Sequence, residues 1–279
     1  MKHVILDTDI GGDPDDTFAL LLCLASPEIS LDLVVTSDEH KGHRAAFAKK
    51  LLAVLGKDIL VVAGADLGND RCCVVDNMVE AMAPMDYVAA IKTVVEKNEI
   101  TDYLCISPQS NLAAFLQHHP GLMPKLRVTI MGGSINYRTE GKVEHNIRYD
   151  VAAARAVFAA NIDKKYVLSE TTFHPELRVD TNHDFYTRLH WHTSELDVRV
   201  LIKESIDNFF THLYPSTLMH DPLTISVVIK PGFVTFAQKP LIMNERGEFI
   251  ESSTGKITTV STSAKYAEFM HFLGGRLPF

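Results

Sequence analysis

The chain has 279 residues, of which 46% are hydrophobic and 22% charged, values typical of a folded protein with a sizeable core. Its formal net charge of −8, from 27 basic and 35 acidic residues, excludes the basic surface that nucleic acid or an anionic membrane would require. No apolar stretch approaches the roughly 20 residues that span a bilayer, and "MKHVILDTD" lacks the apolar core of a signal peptide. We therefore expect a cytoplasmic protein whose partner is a small molecule, not a nucleic acid or a membrane.

Short β-branched runs alternate with helical patterns along the first half of the chain. The predicted strands are "HVILDTD", "LDLVVTS", "ILVVAG", "YLCIS" and "LRVTIMGG". The predicted helices begin at about Asp16 and continue with "HRAAFAKKLLAVLG", "MDYVAAIKTVVEKN" and "NLAAFLQHH". Strands that are apolar on both faces and separated by helices predict a parallel sheet covered by helices.

The second half keeps this pattern from Asp150, turns helical to about Val228, and ends in "GFVTFAQKPLIMN", "GEFIESSTGKITTVSTS" and the helix "AKYAEFMHFLGG". The "STGK" turn predicts an antiparallel hairpin. No Pro/Gly/Ser-rich linker divides the chain. We therefore predict one α/β domain over 1–279: an open, mostly parallel, doubly wound (Rossmann-like) sheet flanked by helices, with a C-terminal β-ribbon and helical additions.

Five aspartates stand between the first strand and the first helix, in "VILDTDIGGDPDDTFALLL": Asp7, Asp9, Asp13, Asp15 and Asp16. Open α/β sheets bind ligands at this end of their strands. A helix start favours one or two carboxylates, but five exceed what capping requires. Converging buried carboxylates repel unless a cation neutralises them, so the run predicts a hard divalent ion such as Ca²⁺ or Mg²⁺.

Two other interpretations of this run are weaker. An EF-hand needs Asp/Asn, Gly and Glu at offsets that the loop lacks, and no helix precedes it. A phosphatase nucleophile in a DxD motif is an alternative that leaves Asp15 and Asp16 unexplained.

Taken together, five motifs in register resemble the inosine-uridine nucleoside hydrolase family. The family's DTDxGxDxDDAxAL stands here as "DTDIGGDPDDTFAL", its GPLTNLA as "SPQSNLA", its MGG as Met131-Gly132-Gly133, its EFNxxxDPEAA as "EHNIRYDVAAA" and its HDPLA as "HDPLT". The resemblance covers essentially the full length. It implies hydrolysis of the N-glycosidic bond of a ribonucleoside, with Ca²⁺ holding the water, an oxocarbenium-like transition state, and a homodimer or homotetramer.

The resemblance also implies roles for individual residues. It assigns the metal to Asp9, Asp16, the backbone carbonyl of Ile106 and Asp221, with Asp9 as the acceptor of the water's proton. It assigns ribose binding to Asp15, Glu144, Asn146 and Asp221, and contact with the leaving base to His220, because a histidine can donate near neutral pH.

Several segments depart from the family pattern. Segment 36–40 lies in "VTSDEH", residues 35–40, and places His40 where the family has a ribose-binding Asn. Segment 66–82 lacks the family's glycine and histidine cluster, and segment 138–145 is shortened and carries Lys142 and His145. Trp191, between two histidines, is a candidate surface or oligomer contact.

Three hypotheses remain open. The first is a Ca²⁺-dependent ribonucleoside hydrolase acting in nucleoside salvage. The second is a hydrolase of a non-standard N-riboside, which the altered segments would allow. The third is a non-catalytic metal-dependent binding protein for nucleoside or ribose, against which the retention of both Asp9 and His220 argues.

Overall fold

A computed structural model describes residues 1–69, 73–190 and 198–279. Trp191 and residues 70–72 of the altered segment 66–82 lie outside these ranges.

A mixed, mostly parallel sheet forms the centre of the protein. The strands are β1 Lys2–Thr8, β2 Ile29–Thr36, β3 Leu60–Ala63, β4 Thr101–Cys105, β5 Leu126–Met131, β6 Asp163–Val167, β7 Arg178–Val179, β8 Thr217–Leu218, β9 Val234–Met243, β10 Phe249–Glu251 and β11 Lys256–Ala264. Nine of them form one sheet in the order β10-β9-β11-β6-β5-β4-β1-β2-β3, and β7 pairs antiparallel with β8. In the large sheet, only the pairings of β9 with β10 and with β11 are antiparallel among the described strands.

Helices cover both faces of the sheet. They are α1 Asp15–Leu24, α2 His43–Val54, α3 Tyr87–Lys97, α4 Ser110–His118, α5 His145–Tyr149, α6 Val151–Ala159, α7 Ser169–Thr172, α8 Asp184–Arg188, α9 Val198–His212, α10 His220–Ile229 and α11 Tyr266–Arg276. Short 3-10 turns lie at Pro120–Lys125 and Pro175–Leu177.

Alternate strand residues divide the core into two layers, because successive side chains point to opposite faces of a strand. Val4 and Leu6 pack with the buried faces of α1, α2, α9, α10 and α11. Ile5 packs on the other face with α3, α4 and α6. The predicted doubly wound α/β sheet with a C-terminal antiparallel region is therefore confirmed.

The predicted hairpin around "STGK" is wrong. Its flanking strands, β10 and β11, both pair with β9 and not with each other. Gly255 in the turn lies directly against β9, where a Cβ would come within 2.6 Å of the backbone of Leu241. The turn thus carries the chain past β9, which already occupies the position between the two strands.

The topology gathers the unusual residues at one edge of the sheet. The neighbouring strands β1, β4 and β5 are parallel, so Asp9, Ile106 and the loop after Met131 follow their carboxyl ends side by side. The short β7–β8 pair ends just before α10, and the Met219 N–H donates to the Leu177 carbonyl at 3.0 Å. This pairing fixes the chain where His220 and Asp221 begin their helix. In the described ranges, no helix is long and apolar enough to cross a membrane.

Candidate active site

Three buried carboxylates meet where two helices begin. Asp15 and Asp16 form the first turn of α1, and Asp221 lies in the first turn of α10. One oxygen from each lies within 4.8 Å of the others. The Asp221 N–H donates to Asp15 Oδ2 at 3.2 Å, which joins the two helix starts directly. The structure thus brings together three of the residues singled out in the sequence.

The electrostatics of this cluster are unfavourable for three ionised groups. Burial, followed by the neighbouring carboxylates, raises the pKa of Asp15 and of Asp221 well above the usual aspartate range. The pKa of Asp16 is likewise raised by burial and by Asp9, while its hydrogen bond from Thr8 lowers it. Like charges in a dry site disfavour each other's ionised forms. Such a cluster must hold protons or a cation.

Asp9 lies just beyond the end of β1, next to the cluster but outside its tightest group of three. Its charge raises the pKa of both Asp16 and Asp221, so its carboxylate lies near theirs. Burial raises the pKa of Asp9 itself to about 7, and the largest opposing influence is the nearby Arg44.

Arg44 is a site residue that sequence reasoning missed. It is fully buried on α2 and donates to the backbone carbonyls of Asp9, of Ile10 at 3.2 Å and of Asp38 at 2.7 Å. Its guanidinium also lies 3.4 Å from the Asp38 carboxylate. The available signal was an arginine in the otherwise apolar run "RAAFA", since a buried arginine requires partners.

Two aspartates of the run serve other purposes. Asp7 is fully buried and accepts hydrogen bonds from Tyr103 at 2.6 Å, Ser107 at 2.9 Å and Asn111 at 2.9 Å. Asp13 accepts from Thr217 and from the Asp15 N–H, which anchors the longer loop to β8. Asp7 and Asp13 therefore hold strands and loop together.

Ile106 follows β4, is buried, and donates its N–H to the Asp7 carbonyl at 2.8 Å. This bond continues the β1–β4 pairing by one residue. It fixes the backbone of Ile106 beside the chain that leads to Asp9.

Glu144 and Asn146 lie at the carboxyl end of β5. Glu144 caps α5 and accepts from the N–H groups of Asn146, Ile147 and Gly133 at 3.0–3.1 Å. Asn146 is buried, and its side chain donates to the Met131 carbonyl at 3.2 Å. Burial raises the pKa of Glu144, and the three backbone donors oppose that rise. Both side chains are thereby held in one orientation.

His220 begins α10 beside Asp221. Its Nδ1 shares a 2.8 Å hydrogen bond with Thr172 Oγ1 of α7, and its ring stacks on Phe173 with centroids 6.3 Å apart. Burial, with the charges of Arg138 and His145, lowers the pKa of His220 to about 3. This shift disfavours the charged imidazole, and the role of His220 at the leaving base stays a prediction.

The remaining candidates lie at the margins. His40 packs against the His43 ring with centroids 5.4 Å apart, and its N–H donates to Glu39; its described contacts do not reach the three carboxylates. His145 packs on Tyr149 at 4.5 Å, and burial with Arg148 lowers its pKa to about 4. Lys142 is exposed, as expected for a solvated loop residue.

The residues present fit a hard divalent cation. Three carboxylates offer oxygen ligands within 4.8 Å of one another, and Asp9 contributes a fourth negative charge nearby. Arg44 binds mainly backbone carbonyls near Asp9, and although its charge lowers the pKa of Asp16, the pKa values of all three carboxyls stay raised. All-oxygen shells of this kind suit Ca²⁺ or Mg²⁺.

Known nucleoside hydrolases are similar to this chain over most of its length. A sequence profile described as "Inosine-uridine preferring nucleoside hydrolase" matches residues 4–268. The pyrimidine-specific ribonucleoside hydrolase RihA of Escherichia coli O127:H6 is 26% identical over 278 residues, covering 90% of this chain and 87% of the relative.

Solved structures share the fold at lower identity. The inosine-uridine preferring nucleoside hydrolase from Bacillus anthracis superimposes with a TM-score of 0.79 at 20% identity, covering 99% of each chain. The purine-preferring ribonucleoside hydrolase from Gardnerella vaginalis gives 0.81 at 19% identity, covering 99% of this chain and 98% of that one.

The sheet topology defines an α/β fold whose carboxyl edge carries a buried acidic group that could hold a metal ion. The chain belongs to the inosine-uridine preferring nucleoside hydrolase family. The prediction of an N-glycosyl hydrolase from the sequence is thereby confirmed.

Proposed function

We propose that this protein hydrolyses the N-glycosidic bond of a ribonucleoside, releasing ribose and free base, and that the reaction depends on Ca²⁺. The observation that carries the proposal is the buried group Asp15, Asp16 and Asp221, whose oxygens lie within 4.8 Å of one another. Ionised, these groups would repel one another without a cation. Because the first turns of α1 and α10 nevertheless hold them together, the arrangement supports a metal site.

The metal would be held by Asp9, Asp16, Asp221 and the carbonyl of Ile106. When bound, the cation supplies positive charge that makes water beside it more acidic and positions hydroxyl oxygens. Asp9 would accept the proton of the attacking water. A buried carboxylate beside a cation suits that role, because the cation makes the water more acidic.

Ribose would be gripped by Asp15, Glu144, Asn146 and Asp221. Carboxylate and amide oxygens bind hydroxyls, and the backbone bonds that fix Glu144 reduce the cost of ordering it on binding. Negative charge around the sugar favours the cationic character that develops at C1′ as the bond to the base breaks. His220 would contact the departing base through the ring nitrogen that does not face Thr172. His40 stays a proposed ribose contact.

A non-standard N-riboside is the second candidate substrate. The observation that favours it is that segments 36–40, 66–82 and 138–145 depart from the family pattern. Product analysis with purine, pyrimidine and non-standard ribosides separates the two. Assembly as a homodimer or homotetramer stays a prediction, which light scattering after size-exclusion chromatography would test.

The experiment compares Asp16→Asn and Asp221→Asn with the control Asp13→Asn. Asp13 is an aspartate of the same loop whose described partners are Thr217 and Asp15, and it lies outside the group of three. We expect the first two variants to lose Ca²⁺ binding by calorimetry and ribose release together. Unchanged Ca²⁺ affinity in either would overturn the metal assignment, and recovery of intact nucleoside after long incubation of the wild type would favour a binding protein.

A further inference from the structure

The loop that follows β5 is pinned to α7 at its start. The N–H groups of Ile135 and Asn136 both donate to Glu170 Oε1, at 2.6 and 2.5 Å. The Ser169 N–H donates to the Gly133 carbonyl at 2.9 Å. The loop therefore has a defined position over the carboxyl ends of β5 and β6.

Arg138 extends from this loop over two aromatic rings. Its guanidinium carbon lies 4.1 Å from the Phe173 ring centroid and 4.6 Å from that of Tyr137. Its Nη1 donates to Ser169 Oγ at 3.1 Å. No ion pair among the described residues includes Arg138, in contrast to Arg188 and Arg276, which pair with carboxylates. The guanidinium is thus fixed in place by rings and a hydroxyl, and retains free N–H donors.

Arg138 and His220 both bind side chains of the short helix α7. Arg138 binds Ser169 and His220 shares a hydrogen bond with Thr172, so their partners are three residues apart on α7. Residues at this spacing lie on one helix face with Cβ atoms about 5–6 Å apart. Phe173, the residue after α7, contacts both the guanidinium and the imidazole. Arg138 and His220 therefore both lie against Phe173, and His220 stands next to Asp221.

We propose that Arg138 receives the leaving base, donating hydrogen bonds to a base oxygen that gains negative charge as the glycosidic bond breaks. The proposal rests on the proposed function, because it assigns a further residue to the same reaction. It applies to a base that carries an oxo group conjugated with the glycosidic nitrogen.

Water oxygen bonds to C1′ and loses a proton to Asp9, while the C1′–N bond breaks and its electron pair leaves with the base. In an oxo base this pair is delocalised onto the oxygen, which faces a permanent cation. The base later takes a proton from solvent. A guanidinium carries only donors, so it matches an oxo group and not an exocyclic amino group at the same position.

The test compares two ribosides in wild type, Arg138→Gln and Arg138→Lys. Uridine has a poor leaving group that needs stabilisation, whereas p-nitrophenyl riboside has a leaving group stable on its own. Arg127→Gln is the control, since Arg127 is an exposed arginine at the opposite end of β5. For uridine we expect Arg138→Gln to lower kcat by about 10²-fold, the usual cost of losing one donor to a developing anion. Cleavage of p-nitrophenyl riboside should change little, Arg138→Lys should recover part of the rate, and Arg127→Gln should resemble wild type.

The outcomes distinguish the role of Arg138 from the proposed function. If Arg138→Gln lowered activity toward both ribosides equally, or toward neither, the role of Arg138 would be overturned while the hydrolase assignment would stand. Failure of the wild type to cleave either riboside would overturn the proposed function and this inference with it.

Discussion

Arg44 is the buried charge on which the acidic site depends. Its side chain is fully buried, and it binds the carbonyls of Asp9, Ile10 and Asp38. Its charge lowers the pKa of Asp9 and of Asp16 against the effect of burial. The residue thus holds the loop that carries the aspartates and stabilises their ionised forms.

Replacing Arg44 by Met should therefore be strongly destabilising. Removing one partner from a buried charge network costs about 3–5 kcal/mol, because the remaining carboxylate and carbonyls lose their partner in a dry site. Arg44→Lys, which keeps the charge, should cost less, and Arg155→Met on the exposed face of α6 should have little effect. Urea denaturation measures all three, and an Arg44→Met protein as stable as wild type would contradict this role.

The residues predicted from the sequence are those whose chemistry is evident in one segment. Asp15 and Asp16 stand at a helix start, and Asp221 stands in a short motif. Strand order and the family resemblance therefore predicted that these three residues lie close together, as the structure shows. Arg44 and Arg138 could not be found this way. Their roles depend on contacts with residues distant in sequence, Asp9 for one and Ser169 for the other.

At the scale of elements, the antiparallel β-ribbon formed by β9, β10 and β11 packs against the loop that follows β5. Phe249 of β10 packs on Gly133, and its N–H donates to the Ser134 carbonyl. Gly133 has φ of +79° and donates its N–H to Glu144. The ribbon therefore packs directly against the turn that helps to orient Glu144, a proposed ribose-binding residue.

Two glycines of the same loop provide a matched test of this packing. Both have positive φ, but a Cβ at Gly133 would lie 2.3 Å from the Phe249 ring, whereas a Cβ at Gly141 meets nothing within 4 Å. Gly141→Ala should cost only about 1–2 kcal/mol for its left-handed backbone. Gly133→Ala should cost about 1–3 kcal/mol more, because the ring must move. Equal unfolding free energies in urea for the two variants would show that the ribbon does not press on the loop.

Element order was predictable because periodicity distinguishes buried parallel strands from amphipathic helices. The pairing of the ribbon was not. The "STGK" turn has the composition of a hairpin turn, but the hydrogen bonds of β10 and β11 go to β9, and local sequence carries no information on which strand lies between them.

At the scale of the whole molecule, the fold collects acidic groups that destabilise the protein without a cation. Burial raises the pKa of Asp9 to about 7 and of Asp13 to about 6, from 3.8, and it raises the pKa values of Asp15, Asp16 and Asp221 well above the usual aspartate range. The folded state therefore binds more protons than the unfolded state between about pH 4 and 7. By linkage, the free energy of unfolding falls as pH rises through this window.

Chelated protein should accordingly melt at a lower temperature at pH 8 than at pH 5.5. Saturating Ca²⁺ should remove or reverse this trend, because it favours the ionised carboxylates and binds better at higher pH. Differential scanning calorimetry with chelator and with Ca²⁺ measures both. A chelated protein whose melting temperature rises from pH 5.5 to 8 would contradict the buried acidic cluster.

The most direct test of the hydrolase assignment is a reducing-sugar assay for ribose release from a panel of purine, pyrimidine and non-standard ribosides, with Ca²⁺ and after chelation. We predict release from at least one riboside that stops on chelation and returns when Ca²⁺ is added back. No release from any riboside by protein shown to hold Ca²⁺, or release that continues unchanged after the metal is removed, would contradict it.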